Sequence, residues 1–282
     1  MTMAALGAVL VRTGREVIED GVPGLAAQTA YYFFFSIFPI LLFAAPLLSM
    51  IGDRAVLLGW ALEQLRVTVP PSAMTLFESV VRQVVFAPNA PGMISVGAVL
   101  AAWSGSNLFG AMTAALNRAY DVEESRPWWR RRLLALVCVV VTVVFLGAAS
   151  TVMLAGPELA QALGRWTGWG DLFARAWLIV QYPLAFLLLL SLFWLLYWAL
   201  PNVRQSKRSI TVATLVAAAI WVLATLGFRA YAIHFGRWNQ TYGTIGGVIV
   251  LLMWMYLTTF VLLVGGELAS ELERERRKAP TA

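Results

Sequence analysis

Residues 242–270 read YGTIGGVIVLLMWMYLTTFVLLVGGELAS, and no charged side chain interrupts them before Glu267. About 20 predominantly apolar residues in an α-helix cross the hydrocarbon core of a bilayer, so this run predicts a membrane span over residues 243–265. Further uncharged stretches lie at 21–52, 83–117, 133–157, 176–203 and 209–228. They predict five more spans, at Leu25–Ile51, roughly Met93–Leu116, 133–155, 177–200 and 210–233, six in all. The composition agrees. Of 282 residues, 60% are hydrophobic and 13% charged, against roughly half and a quarter in soluble domains. A soluble globule is excluded, and no length remains for an appended soluble domain. The expected fold class is all-α: a polytopic membrane protein with six transmembrane helices plus amphipathic interfacial helices, forming a single membrane domain over 1–282.

The segments outside the spans are also patterned. Residues 1–20 read as an amphipathic helix on the membrane surface, with Leu6, Val9, Leu10 and Val17 facing away from Arg12, Arg15, Glu16 and Glu19. Met1–Val11 is apolar and lacks the basic stretch of a cleavable signal. Residues 53–92 predict an extracytoplasmic helical segment in which Phe77, Val81, Val84 and Val85 oppose Glu78, Ser79, Arg82 and Gln83. Pro88, Asn89, Pro91 and Gly92 are expected to end that segment before the second span. In the first span, Pro39 and Pro46 free backbone groups that neighbouring helices must satisfy. Residues 267–282 read as a solvated cytoplasmic helix or tail, with Glu271–Arg274, Glu273–Arg276 and Glu273–Arg277 at pairing distance along it. Cys138, the only cysteine, lies in an apolar run and reads as inert packing.

Lys and Arg total 21 against 15 acidic residues, a net charge of +6. In alternate loops the basic residues divide 14 to 6, with Arg229 left inside the fifth span. Because basic loops stay cytoplasmic, the count predicts a multi-pass protein of the inner (cytoplasmic) membrane with both termini in the cytoplasm. The basic cluster Arg126, Arg130, Arg131, Arg132 with Trp128 and Trp129 is explained by topology and contact with anionic lipid. It is too small a surface for nucleic acid.

Ionisable groups near membrane depth are costly and therefore functional candidates. Arg229 is one. Twenty residues beyond Ser209 at ~1.5 Å each put it ~30 Å along the fifth helix, at the far interface. Snorkelling accounts for it without a substrate; the alternative is a guanidinium holding an anionic headgroup. Glu267 is another, following Gly265 and Gly266, whose small size lets a second helix approach; Arg204 or Arg118 are its expected partners. Trp103, Ser104, Ser106, Asn107 and Asn117 make the second span polar, either as helix-to-helix hydrogen bonds or as a cavity stripe.

Several stretches resemble the YihY/BrkB group of bacterial inner-membrane proteins, some of which have carried a ribonuclease BN label. They are AAQTAYYFFFSIFPILL (26–42), ALNRAYDVEESRPWWRRR (115–132), LYWALPNVR (196–204) and the closing run with its Tyr-Gly, Leu-x-Trp-x-Tyr and Gly-x-Glu elements. The resemblance implies a six-helix membrane protein with envelope-related roles, proposed to move lipids or other substrates. It points to Tyr242 and Glu267 as motif positions. Arg229, Glu267, Asn107 and Tyr242 are thus the candidate substrate-contacting residues, and the expected partners are membrane lipids, an anionic lipid or amphiphile substrate, and a second copy of the chain.

Two other function classes compete. A metal-dependent nuclease needs convergent Asp, Glu or His ligands, yet the single histidine, His234, has no acidic neighbour in sequence and the acids are scattered. The chain is therefore read as no enzyme, with no cofactor and no metal. A non-catalytic envelope scaffold is the alternative to a transporter or flippase-like protein. No Gly-x4-Gly-Lys-Ser/Thr run surrounds Lys207 or Lys278, so active transport would be coupled to ions or partners.

Overall fold

The computed structural model describes residues 3–51, 90–154, 170–235 and 239–278, with residues 59, 62, 74, 78, 156 and 164. Among the described residues the chain is all-helical, in seven long helices: α1 (Met3–Glu19), α2 (Val22–Ile51), α3 (Ala90–Ala119), α4 (Trp128–Leu154), α5 (Gly170–Ala199), α6 (Lys207–Phe235) and α7 (Asn239–Lys278). Five of them, over Ser95–Ala119, Trp128–Met153, Arg175–Ala199, Lys207–Ala232 and Gly246–Lys278, are long and apolar enough to cross a membrane. The first predicted span corresponds to α2, 30 residues without a charged side chain.

The boundaries differ from expectation in two places. Pro91 and Gly92 precede the membrane span, which starts at Ser95, but they lie in the first turn of α3, which begins at Ala90. A proline there has no intrahelical hydrogen bond to lose. The sixth span and the predicted tail are one helix, α7, of 40 residues. At ~1.5 Å per residue it runs ~60 Å, twice the thickness of a hydrocarbon core. The interfacial segment predicted over 53–92 lies outside the described residues, apart from α3's first turn and residues 59, 62, 74 and 78.

Each helix from α2 to α7 packs on the next in sequence, and α7 returns to α2, closing a ring; α7 also touches α3, and α1 lies against α7. Outward faces stay apolar: Val140 and Val143 on α4, Ile179 on α5 and Leu223 on α6 are exposed. Apolar surface on this scale marks a lipid-facing bundle.

Inside the ring, side chains of α5 and α3 reach the backbone of α7. Tyr197 of α5 donates its hydroxyl to the Leu262 carbonyl at 2.8 Å. A methyl group at Gly265 would collide with the Tyr197 hydroxyl and stand 2.6 Å from Ala217 Cβ, and one at Gly266 would collide with Leu116. Small residues let backbones approach in this way. About one turn before Leu262, at the middle of α7, Thr259 donates to the Ala26 carbonyl of α2 at 3.0 Å.

The N-terminal helix is rotated from expectation. Val9 packs on Leu268, Ala269 and Leu272 of α7, and Thr13 is buried with it. Arg12 and Glu16 share that inward side, whereas Val11 and Ile18 are 75% and 78% exposed. Partners on α7 draw Arg12 and Glu16 inward beside Val9 and Val17, leaving Leu10, Val11 and Ile18 outward. The chain then turns at Gly21, whose φ of 66° is left-handed and suits glycine.

Gly265→Ala and Gly266→Ala are each expected to destabilise the protein by roughly 1–3 kcal/mol through overpacking, read as a lower Tm in detergent. Tyr197→Phe combined with Gly265→Ala should cost less than the sum of the two, because both remove the same hydroxyl contact.

Candidate functional site: a buried charge seam at the end of α7

Successive turns of α7 aim two rows of side chains in two directions. Glu267, Glu271, Arg274 and Glu275 face α1 and the α1–α2 turn, while Ser270, Glu273 and Arg277 face the start of α6. Glu267 and Glu271 are each 2% exposed, so the solvated helix predicted here is corrected. The charges are sequestered because the neighbouring elements supply complementary groups. Glu271 accepts from Arg12 Nε at 2.8 Å and from Arg274 Nη1 at 2.8 Å. Arg12 also reaches Glu275 at 2.6 Å. Arg274 bonds Glu16 at 3.1 Å and closes on Asp121. This one guanidinium therefore joins α7, α1 and the turn after α3.

Glu273 serves the second row. It accepts from the Ser206 N–H at 3.1 Å and the Ser209 hydroxyl at 3.0 Å, and from Arg276 at 2.9 Å and Arg277 at 3.4 Å. Ser206 is the N-cap of α6, accepting from the Ser209 N–H at 3.1 Å. The Glu273 carboxylate thus sits where free N–H groups and the helix dipole favour an anion. The charge pairs expected along this helix all form, with the carboxylates buried and Arg276 and Arg277 exposed.

A third cluster ties α3 to the end of α5. Arg126 grips Glu124 through Nε and Nη2, both at 2.7 Å, and donates to the Leu200 carbonyl at 2.7 Å. Asn117 donates to Glu124 at 2.9 Å and accepts from the Asn202 N–H at 2.7 Å. The Arg126 guanidinium holds the Glu124 carboxyl down at about 2. Arg126 is thus a cap on the last carbonyls of α5, a correction to the purely lipid-facing role expected of that basic cluster.

The four candidates are not brought together. Glu267 lies near Asp20 and Glu16, with Arg274 the nearby cation; these replace the expected Arg204 and Arg118. Arg118 instead pairs with Asp20 at 3.6 Å. Arg229 is exposed towards the opposite end of α6, 22 residues and ~33 Å from Lys207. Asn107 accepts from Arg132 at 2.8 Å, and that guanidinium also lies over the Trp103 ring at 4.1 Å. The hydroxyls of Ser104 and Ser106 turn back on their own helix. Tyr242 lies in the first turn of α7, and its side chain is outside the described residues. Sequence reasoning missed Arg12, Glu16 and Asp20. The available signal was complementarity: Arg12 and Glu16 one turn apart on α1 match Glu271, Arg274 and Glu275 on α7.

Removing either guanidinium leaves Glu271 with the other; removing both leaves a buried carboxylate alone. Arg12→Gln and Arg274→Gln should each lower the Tm, and the double variant by more than the sum, with a total loss of about 3–5 kcal/mol. The Glu124 carboxyl, depressed in the folded chain, contributes stability that is complete above the unfolded value of roughly 4.3 and is lost as pH falls towards 2. The Tm difference between the wild type and Glu124→Gln should accordingly be constant from pH 8 to about pH 5 and shrink below pH 4.

No solved structure matches the chain. Among known proteins, YfkH of Bacillus subtilis (strain 168), described as ribonuclease-like, is 33% identical over 255 residues, 90% of this chain and 91% of that protein. A UPF0761 membrane protein of Cronobacter sakazakii is 28% identical over 265 residues, covering 92% and 86%. Another, of Tolumonas auensis, is 25% identical over 260 residues, covering 92% and 83%. The pattern of the family described as Virulence factor BrkB matches residues 13–282; a family match of that extent, on a bundle of apolar helices, makes the chain a membrane protein of the BrkB family.

Proposed function

We propose that this chain is a transporter or flippase-like protein that moves an anionic lipid or amphiphile across the cytoplasmic membrane, with six spans and both termini in the cytoplasm. The observation that carries the reading is Glu267, 2% exposed and facing the acids Asp20 and Glu16. A carboxyl buried among carboxyls at the end of a membrane helix is costly, and packing alone would be served better by an apolar residue. In this reading Glu267 takes up and releases a proton as the junction of α1, α2 and α7 switches. Arg229, at the opposite end of the bundle, engages the phosphate of the substrate bidentately.

The cytoplasmic placement of the termini rests on the 14-to-6 division of basic residues and on the contact of α1 with the last turns of α7, which brings both ends of the chain to one side. An even number of crossings fits that contact. Nuclease activity is no part of this reading, since Glu16, Glu271, Glu273 and Glu275 are engaged by arginines and serines rather than free to hold an ion.

Reporter fusions after Lys278 should report a cytoplasmic location and fusions after Trp166 a periplasmic one; the reverse result sinks the topology. In reconstituted vesicles the wild-type protein should accelerate transbilayer movement of fluorescent anionic lipid, and folded Glu267→Gln and Arg229→Gln variants should do so at least ten-fold more slowly. Wild-type protein that moves neither these lipids nor native extract lipids, and retains none through purification, would favour the scaffold reading.

A further inference from the structure

Between α4, α5 and α6 lies an open groove of about 370 Å³, walled by Phe145, Trp194, Leu195 and Leu215 and carrying the hydroxyls of Ser191, Thr211 and Thr214. Two of the hydroxyls are engaged as donors within the protein. Ser191 donates to the Leu187 carbonyl at 2.8 Å. Thr211 donates to the Lys207 carbonyl at 2.8 Å and accepts from Trp194 Nε1 at 3.2 Å. The third is not: Thr214 is 3% exposed, and its hydroxyl finds no partner among the described residues. A buried, unpaired hydroxyl is a cost that native structures avoid.

The start of α6, beyond the residues that line the groove, supplies a cation at its mouth. Lys207, Thr211, Thr214 and Leu215 recur at one-turn and two-turn spacing and share a face of α6, and Lys207 is exposed. On α5, Trp194 stacks on Trp198 with ring centroids 6.2 Å apart, and Trp198 is exposed, as tryptophans at a membrane interface are. Seven residues separate Lys207 from Thr214, ~10 Å along the helix. A headgroup layer is roughly 5–8 Å thick, and a lysine side chain adds its own reach. A phosphate at the mouth therefore brings the acyl ester level with Thr214.

We infer that this groove is a binding site for an anionic glycerophospholipid: one acyl chain lies along the apolar wall, an ester carbonyl accepts the Thr214 hydroxyl, and the phosphate pairs with Lys207. The site lies on a different face from the charge seam of α7 and requires only binding. Lipid bound here without any movement in vesicles leaves it standing while the proposed function fails.

The test titrates the full chain, purified in detergent, with dioleoylphosphatidylglycerol or dioleoylphosphatidylcholine and reads the Tm. For the wild type, phosphatidylglycerol should raise the Tm by about 3 °C at roughly ten times its Kd, and phosphatidylcholine by clearly less. Thr214→Val, near-isosteric and freed of the unpaired hydroxyl, should be at least as stable without lipid, yet lose most of the increment. Lys207→Gln should respond to both lipids alike. Equal shifts by the two lipids in the wild type, or a full phosphatidylglycerol increment in Thr214→Val, overturn the proposal. An increment that also persists in Ser191→Trp, where an indole fills the groove, places the lipid on the general apolar surface instead.

Discussion

Burying the carboxylate of Glu271 demands cations on two sides, and much of the architecture follows from meeting that demand. Arg274 comes from the same helix, one turn on, but Arg12 is 259 residues away in sequence, and its delivery requires α1 to lie along α7. Docking α1 brings Glu16 to Arg274 and puts Asp20 beside Arg118 and Glu267. The first and last helices are thereby locked to the end of α3 through Asp121 and Arg118. Arg12, Glu16, Glu271 and Arg274 are each stabilised by an opposite charge from another element, so this part of the seam forms as a unit or leaves charges uncompensated.

The ring of helices answers a different constraint. Inside a bilayer no hydrophobic driving force distinguishes one apolar surface from another, so association depends on close packing and on hydrogen bonds. Gly265 and Gly266 supply the packing, admitting Tyr197 and Leu116 against the backbone of α7. Tyr197 to the Leu262 carbonyl and Thr259 to the Ala26 carbonyl supply bonds between helices. Valines and leucines on α4, α5 and α6 remain outside because lipid is as good a solvent for them as protein.

Polar groups thus concentrate at one end of the bundle. The seam gathers acids and arginines where α7 outruns the bilayer, and the three serine and threonine hydroxyls of the groove sit a few turns from Lys207, on the outside of α5 and α6.

Much of this was legible in sequence, because the bilayer imposes a one-dimensional test. Uncharged runs of about 25 residues marked the positions of α2 to α7, the glycines before Glu267 marked a close helix contact, and Glu271, Arg274, Glu273, Arg276 and Arg277 marked pairs along one helix. These depend on spacing within a single helix, which a string of residues contains. What only the tertiary structure decided is what those pairs face. Whether Glu267 meets solvent, Arg118 or Asp20 depends on how α1 rotates against α7, and that rotation is set by Val9, Arg12 and Glu16 finding partners more than 250 residues away. The same holds for Arg126, which reads as a lipid-facing charge in sequence and becomes a cap on α5 once the chain returns beside it. The periodicity of a helix is local; the choice between burying its apolar side and its charged side is made by the neighbour.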